Sequence, residues 1–197
     1  MSDETGRRDF FKEALNQIIK PVANFIDDRI GDDVFKDKPT GEILRPPGAL
    51  SETEFLETCH RCGNCVKNCP ADAIQPIQSR DTNLANTPYI DPDYQPCVIC
   101  DSLACMYVCP SGALQTVFAE DIRMGIAIFH AETCLRANSV DCTYCVDSCP
   151  IGEDAIKLSI DGLIEILDTG CTGCGVCQYA CPTSPKSIVI KSLTYPS

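Results

Sequence analysis

Sixteen cysteines in four closely spaced runs constrain this chain more than any other feature of its sequence. Every run ends in Cys-x3-Cys-Pro, and no cysteine lies outside a run. The first and fourth runs are regular, whereas the second contains a four-residue spacer and the third a seven-residue spacer. The runs are Cys59, Cys62, Cys65 and Cys69; Cys97, Cys100, Cys105 and Cys109; Cys134, Cys142, Cys145 and Cys149; and Cys171, Cys174, Cys177 and Cys181.

The spacing within these runs favours a metal cluster over disulfides or zinc. Disulfide-dense chains are usually small and secreted, and three sulfurs on one tight loop suit three corners of a cluster better than three bridges. Zinc shares the Cys-x2-Cys pair but gives no reason for a third cysteine followed by Cys-x3-Cys-Pro. Bacterial ferredoxins with [4Fe–4S] clusters use the regular spacing, and their fourth cysteine ligates the neighbouring cluster. The sequence therefore predicts four [4Fe–4S] clusters held by all sixteen cysteines.

The runs can exchange their fourth cysteines in two ways. Sequential pairing joins the first run to the second and the third to the fourth, and nested pairing joins the first to the fourth and the second to the third. Because the two regular runs match each other and the two lengthened runs are both irregular, like spacing favours nesting. The nested sets are Cys59, Cys62, Cys65 and Cys181; Cys171, Cys174, Cys177 and Cys69; Cys97, Cys100, Cys105 and Cys149; and Cys134, Cys142, Cys145 and Cys109.

The chain is strongly acidic, with a formal net charge of −12 over 197 residues. Fully ligated [4Fe–4S] clusters add further negative charge. Nucleic-acid binding requires basic patches, so a strongly acidic chain is a poor candidate for it and no nucleic-acid partner is expected. The acidity suits docking on basic surfaces of redox proteins by electrostatic steering, and it also favours solubility.

The first fifty residues contain no cysteine. Arg7 and Arg8 resemble a twin-arginine export motif, but the charged residues that follow interrupt the apolar region that an export signal needs. Apolar residues at spacings of three and four predict an amphipathic helix over residues 8–30. This segment is expected to pack on the cluster domain, to dock a partner, or to be a vestigial signal. A cytoplasmic location is favoured, with periplasmic export as the alternative.

A Pro/Gly-rich stretch at residues 31–50 predicts a linker, so residues 1–50 and 51–197 form two regions. Each Cys-Pro is expected to open a short helical turn. Strands are predicted at 125–129, 162–167 and 187–190. Two cysteine runs with flanking strands make one ferredoxin-like lobe, so the fold class is α+β with two 2[4Fe–4S] lobes. No apolar stretch approaches the roughly 18 residues needed for a transmembrane helix.

With these motifs in place, the chain resembles the four-cluster ferredoxins of the NapG/MauM type over residues 55–193. The matching segments are residues 59–65, 87–89, 123–128 and 171–175. The resemblance implies an electron relay, commonly between a membrane quinol-oxidising partner and a periplasmic reductase or dehydrogenase. Members of that family are typically exported by the twin-arginine route. The interrupted apolar region after Arg8 is where this chain departs from the family.

The sequence contains no nucleophile–base motif, phosphate-binding loop or flavin fingerprint. Every run has four cysteines, so complete ligation would leave no iron open to a substrate. The predicted function is therefore an electron-transfer protein or subunit of an oxidoreductase system. The alternative is a structural or assembly protein braced by clusters or zinc. Close to a predicted cluster, His60 is a candidate for tuning it from outside the ligand set.

Overall fold

The computed structural model describes residues 42–193. The amphipathic segment at 8–30 and most of the predicted linker lie outside the described residues. The described elements are α1 (Glu52–Thr58), α2 (Asn64–Lys67), β1 (Ile74–Pro76), β2 (Pro88–Ile90), α3 (Ala104–Tyr107), β3 (Gly125–Phe129), α4 (Tyr144–Asp147), β4 (Ile156–Leu158), β5 (Ile164–Ile166), α5 (Val176–Ala180) and β6 (Ile188–Ser192), with short 3₁₀ turns at Ala119–Asp121, Ala131–Thr133 and Gly152–Asp154.

The strands form three antiparallel pairs: β1 with β2, β3 with β6, and β4 with β5. The longest pair brings Gly125 opposite Ser192 and Phe129 opposite Ile188. Strands β3 and β5 lie in two of the segments predicted from the sequence, and β6 overlaps the third but extends two residues further, to Ser192. Strands β1, β2 and β4, of three residues each, were not predicted. Strand β5 is equally short but lies within a longer apolar stretch, which made it recognisable.

Two hydrophobic cores divide the described chain into a first half, residues 42–124, and a second half, residues 125–193. The first core is built around Phe55, Ile90 and Ile122. The second is built around Ile156 and Ile188. Cysteines contribute to both cores, so part of the usual apolar packing is made by sulfur. Short helices and short strands in both halves make the described fold α+β.

The helical turns lie before each Cys-Pro, and the expectation that the proline opens them is wrong. Helices α2, α3, α4 and α5 each contain the third cysteine of a run and end at or just before the fourth. The following proline stands where the helix has already stopped, because a proline ring clashes with the preceding turn in a helix interior. One helical turn therefore separates the third and fourth sulfurs of a run.

Residues 42–50 are packed into the first half and do not form a linker. Leu44 forms a bridge with Ile90, and Ala49 forms another with Leu114. The side chain of Arg45 is fully buried, with 0 % of its surface exposed. The domain boundary predicted at residue 50 therefore falls inside packed structure, because residues 42–50 belong to the first half.

Arg45 is held by a complete set of polar partners. Its Nε and Nη2 donate to the two carboxylate oxygens of Glu52 at 2.9 and 2.5 Å. Its Nη1 donates to Thr87 Oγ1 at 3.0 Å and to the Pro88 carbonyl at 2.7 Å. The guanidinium also lies 4.6 Å from the centre of the Phe55 ring. A buried cation needs partners of this kind, because it is energetically costly to bury a charge without hydrogen bonds or a counter-charge.

Within the described residues, no helix is both long enough and apolar enough to cross a membrane.

Candidate metal centres

Four cavities in the described chain are each lined by four cysteines. Each contains about 320 to 380 Å³ of space not filled by protein atoms. We number the sites after the run that supplies three of their cysteines. Site I has Cys59, Cys62, Cys65 and Cys109; site II has Cys97, Cys100, Cys105 and Cys69; site III has Cys134, Cys142, Cys145 and Cys181; and site IV has Cys171, Cys174, Cys177 and Cys149.

These sets follow sequential pairing, and the nested pairing favoured from the sequence is contradicted. The structure brings Cys109 to the first run and Cys69 to the second. It brings Cys149 to the fourth run and Cys181 to the third. All sixteen predicted cysteines lie in one of the four cavities, but four of them change partner relative to the nested sets.

Chain connectivity explains why the sequential pairing is adopted. Consecutive elements usually lie next to each other, and each half builds its core mainly from its own two successive runs, with Cys174 as the exception. The spacers in the second and third runs had suggested nested pairing. They form local turns and do not determine which other run supplies the fourth cysteine of a site. In the long spacer, the amide of Val140 donates to the Leu135 carbonyl at 2.9 Å, and Arg136 pairs with Asp141 at 2.6 Å.

The thiols in these cavities influence one another electrostatically. Burial raises the pKa of the Cys65 thiol to about 12, and the sulfur of Cys59 acts in the same direction. Burial likewise raises the pKa of Cys97 to about 12 and that of Cys145 to about 11. Four thiolates sharing such a cavity need a cationic core to remain ionised together. An iron–sulfur core supplies that charge when bound.

The fourth cysteines of the second and fourth runs have a different environment. Burial acts to raise the pKa of Cys109, but hydrogen bonds from Leu114 and Ser111 outweigh it and lower that pKa. Burial acts in the same sense on Cys181, and hydrogen bonds dominated by Thr183 again lower the pKa. The Leu114 amide lies 3.4 Å from Cys109 Sγ, and the Thr183 hydroxyl lies 3.1 Å from Cys181 Sγ. Such donors stabilise a sulfur that carries negative charge.

Two buried polar atoms test whether an anionic cluster fits these cavities. Among the described residues, Arg61 Nε and Thr172 Oγ1 are the buried side-chain atoms without a partner of good geometry, and the Thr172 hydroxyl is directed at the Cys174 sulfur, where it opposes the rise in pKa that burial causes. Arg61 lines site I and Thr172 lines site IV. A buried donor without a partner is costly, and cluster sulfur is an acceptor for both. The donor set and these orphaned atoms therefore fit an iron–sulfur cluster.

In the part of the chain that the structure describes, no group of three or more histidine, cysteine, aspartate or glutamate side chains is arranged to hold a single metal ion.

Arg61 is a site residue that sequence reasoning missed. Its guanidinium donates to the Cys59 carbonyl at 3.2 Å and to the Asn83 carbonyl at 2.8 Å, while its backbone amide donates to Cys59 Sγ at 3.4 Å. His60, the residue singled out from the sequence, also lines site I but is exposed. The sequence did contain a signal that could have identified Arg61, because this cation stands between two cysteine ligands in a strongly acidic chain.

Comparison with known proteins agrees with this chemistry. Residues 58–113 and 138–184 match the family described as the 4Fe-4S dicluster domain. The methylamine utilization ferredoxin-type protein MauM of Methylobacillus flagellatus is 36% identical over 94% of this chain and 83% of its own length. The ferredoxin-type protein NapG of Escherichia coli is 34% identical over 80% of this chain and 74% of its own length.

The chain is an iron–sulfur protein of the 4Fe-4S dicluster class. Within that class it belongs to the family of MauM and NapG ferredoxin-type proteins. The predicted family and the prediction of [4Fe–4S] chemistry are thereby confirmed. An electron-transfer role with redox partners in oxidoreductase systems follows from this membership.

Proposed function

We propose that this chain relays single electrons through four [4Fe–4S] clusters, one in each of sites I to IV. The observation that carries the proposal is the convergence of four cysteines on each of four separate cavities. Cysteine thiolates in groups of four are the ligands of [4Fe–4S] clusters. Each half of the chain would then be one ferredoxin-like lobe with two clusters.

Complete ligation defines what the sites do chemically. With four protein ligands per cluster, each iron has a thiolate and none is left open for a substrate. The chain's residues then hold the clusters, exclude water from the buried sulfurs and direct hydrogen bonds at them, which sets their potentials. The substrate chemistry of the system belongs to its partners.

The partners in this proposal are redox proteins. The candidates are a membrane quinol-oxidising subunit and a reductase, in either direction of electron flow. The formal charge of −12 favours basic docking surfaces on both. We place the protein in the cytoplasm, because charged residues interrupt the segment after Arg8; export through Arg7 and Arg8 is the alternative.

Anaerobic purification with metal analysis tests the relay. We expect about 16 iron atoms per chain, together with visible charge-transfer absorption that dithionite bleaches. A colourless chain containing zinc would overturn the proposal in favour of the structural alternative. A chain with a full complement of iron that no reductant bleaches would also contradict electron transfer.

A further inference from the structure

The two halves of the chain meet at cluster ligands. The backbone amide of Cys97, in site II, donates to the carbonyl of Cys174, in site IV, at 3.0 Å. Cys174 is buried in the hydrophobic core of the first half, although its run belongs to the second. Sites II and IV are therefore joined by one hydrogen bond between residues that each supply a ligand.

We call the contact between sites II and IV the junction, and the side chain of Gln178 forms further hydrogen bonds beside it. Gln178 lies on α5, one residue after Cys177, and its Nε2 donates to Asp93 Oδ1 in the first half at 2.9 Å. The Ile190 amide donates to its Oε1 at 2.7 Å. Only 6 % of Gln178 is exposed. Both polar ends of one buried side chain thus tie the site IV helix to a strand of its own half and to the loop that precedes site II.

Gly175 sets how closely the halves approach. Its φ is +91°, and a Cβ at this position would lie 2.7 Å from the Cβ of Pro92 in the first half. Real carbon atoms do not approach this closely, and the proline ring cannot move aside as a flexible side chain would. The absence of a side chain at Gly175 therefore allows the contact between sites II and IV.

Within each half, neighbouring sites share one helical turn. Helix α2 begins just before Cys65 of site I and leads to Cys69 of site II. Helix α5 contains Cys177 of site IV and leads to Cys181 of site III. Sites I and II are thus connected within the first half and sites IV and III within the second half, whereas sites II and IV are connected between the halves.

We propose, on the basis of the relay proposed above, that electrons cross between the halves from site II to site IV or back, so that the path follows the order I–II–IV–III. Each step oxidises one reduced cluster and reduces its neighbour by one electron, with no bond made or broken. Sites I and III are then the two ends that exchange electrons with partners. The spatial order differs from the order of the runs in the sequence.

The test injects electrons at one end and times their arrival at the other. His60 and His130 are the two histidines of the chain. His130 follows Phe129, which lines site III, and 42 % of its side chain is exposed. In a His60→Gln background, a ruthenium polypyridyl complex attached to His130 delivers an electron on illumination, and a sacrificial reductant in solution re-reduces the oxidised ruthenium. Transient visible absorption after a laser flash follows the electron, with kinetic phases assigned from variants that lack site I or site III.

Two variants loosen the junction by different means. Gly175→Ala introduces the clash with Pro92, and Gln178→Glu replaces the amide that donates to Asp93 with a like charge. The matched control is Gly152→Ala in the same half: its φ is +76°, but a Cβ there has no neighbour within 4 Å. All variants are compared as full-length holoprotein with iron counted per chain.

We expect both junction variants to slow arrival at sites II and I several-fold while leaving reduction of sites III and IV unchanged. The control should transfer at the parental rate. With all clusters present, unchanged crossing in both junction variants, or arrival at site I before site II, overturns the path. If the parent holds no reducible clusters, the relay itself is wrong. If one junction variant loses iron, the other decides.

Discussion

The two halves of this protein carry the same cysteine repeat but surround it differently. In the first half, Cys62 of site I is exposed, and a cation, Arg61, lies beside the cavity. In the second half, three of the four site III cysteines are buried. The comparison teaches that the repeat specifies the ligands, whereas the residues between the cysteines specify how much water and charge each site meets.

This difference has a consequence for reduction potentials. Reduction adds one negative charge to a cluster, and this charge is stabilised by water and by a nearby cation. Site I has both. Site IV, where Cys174 and Cys177 are buried, has less access to solvent. We therefore expect site I to have a higher potential than site IV.

The largest effect is expected from double cysteine variants, which test whether each half supplies all the ligands of its own two sites. Cys62→Ala with Cys109→Ala removes two ligands from site I alone and should leave three intact [4Fe–4S] clusters, about 12 cluster irons. Cys109→Ala with Cys142→Ala removes one ligand from each half and should leave two intact clusters. Mössbauer spectroscopy of iron-57 protein counts them. The reverse result would restore the nested pairing.

The next largest effect concerns the stability of the first half. Arg45→Met removes the cation that pairs with the buried carboxylate of Glu52, and breaking a buried ion pair from one side should cost about 3–5 kcal/mol of unfolding free energy. Anaerobic denaturation followed by cluster absorbance measures the loss. Replacing Glu52 by Leu in the same chain should recover part of it, because the buried carboxylate is then removed together with the cation. An Arg45→Met protein as stable as the parent would show that the buried pair is dispensable.

A smaller effect should sharpen the electrostatic contrast between the halves. Arg61→Gln removes a cation from site I and should lower the reduction potential of that cluster while leaving site III unchanged. Arg61→Lys keeps the charge and should retain more of the potential. Exposed Lys67, at the end of α2, supplies the control Lys67→Gln. An EPR-monitored redox titration measures these shifts. Equal shifts at Arg61 and Lys67 would remove the special role of Arg61.

The smallest effect is expected at an ion pair in the second half. Lys157 and Glu165 face each other across β4 and β5 at 3.8 Å, and both side chains are more than 40 % exposed. Glu165→Gln should therefore change the unfolding free energy by less than about 1 kcal/mol. The same denaturation experiment applies. A loss as large as that of Arg45→Met would mean that burial does not explain the contrast between the two pairs.

Local patterns predicted much of the protein, and long-range contacts account for the errors. The strand at 125–129 was recognised because five consecutive residues show its apolar character. Residues 42–50 were assigned to a linker from their prolines and glycine, yet Arg45 is buried there because Glu52, Thr87 and Pro88 lie around it. Two of these partners are more than forty residues away, and no local pattern reveals them.

The sequence alone determined the chemistry of this protein. Ligand type and spacing are local properties, so four runs of four cysteines were enough to predict [4Fe–4S] chemistry. Only the tertiary structure decided which run completes which site and which sites meet. Pairing depends on how the chain returns on itself, and the contact of Cys97 with Cys174 depends on packing between halves. These long-range contacts place sites II and IV together and give an order of clusters that the order of the runs does not contain.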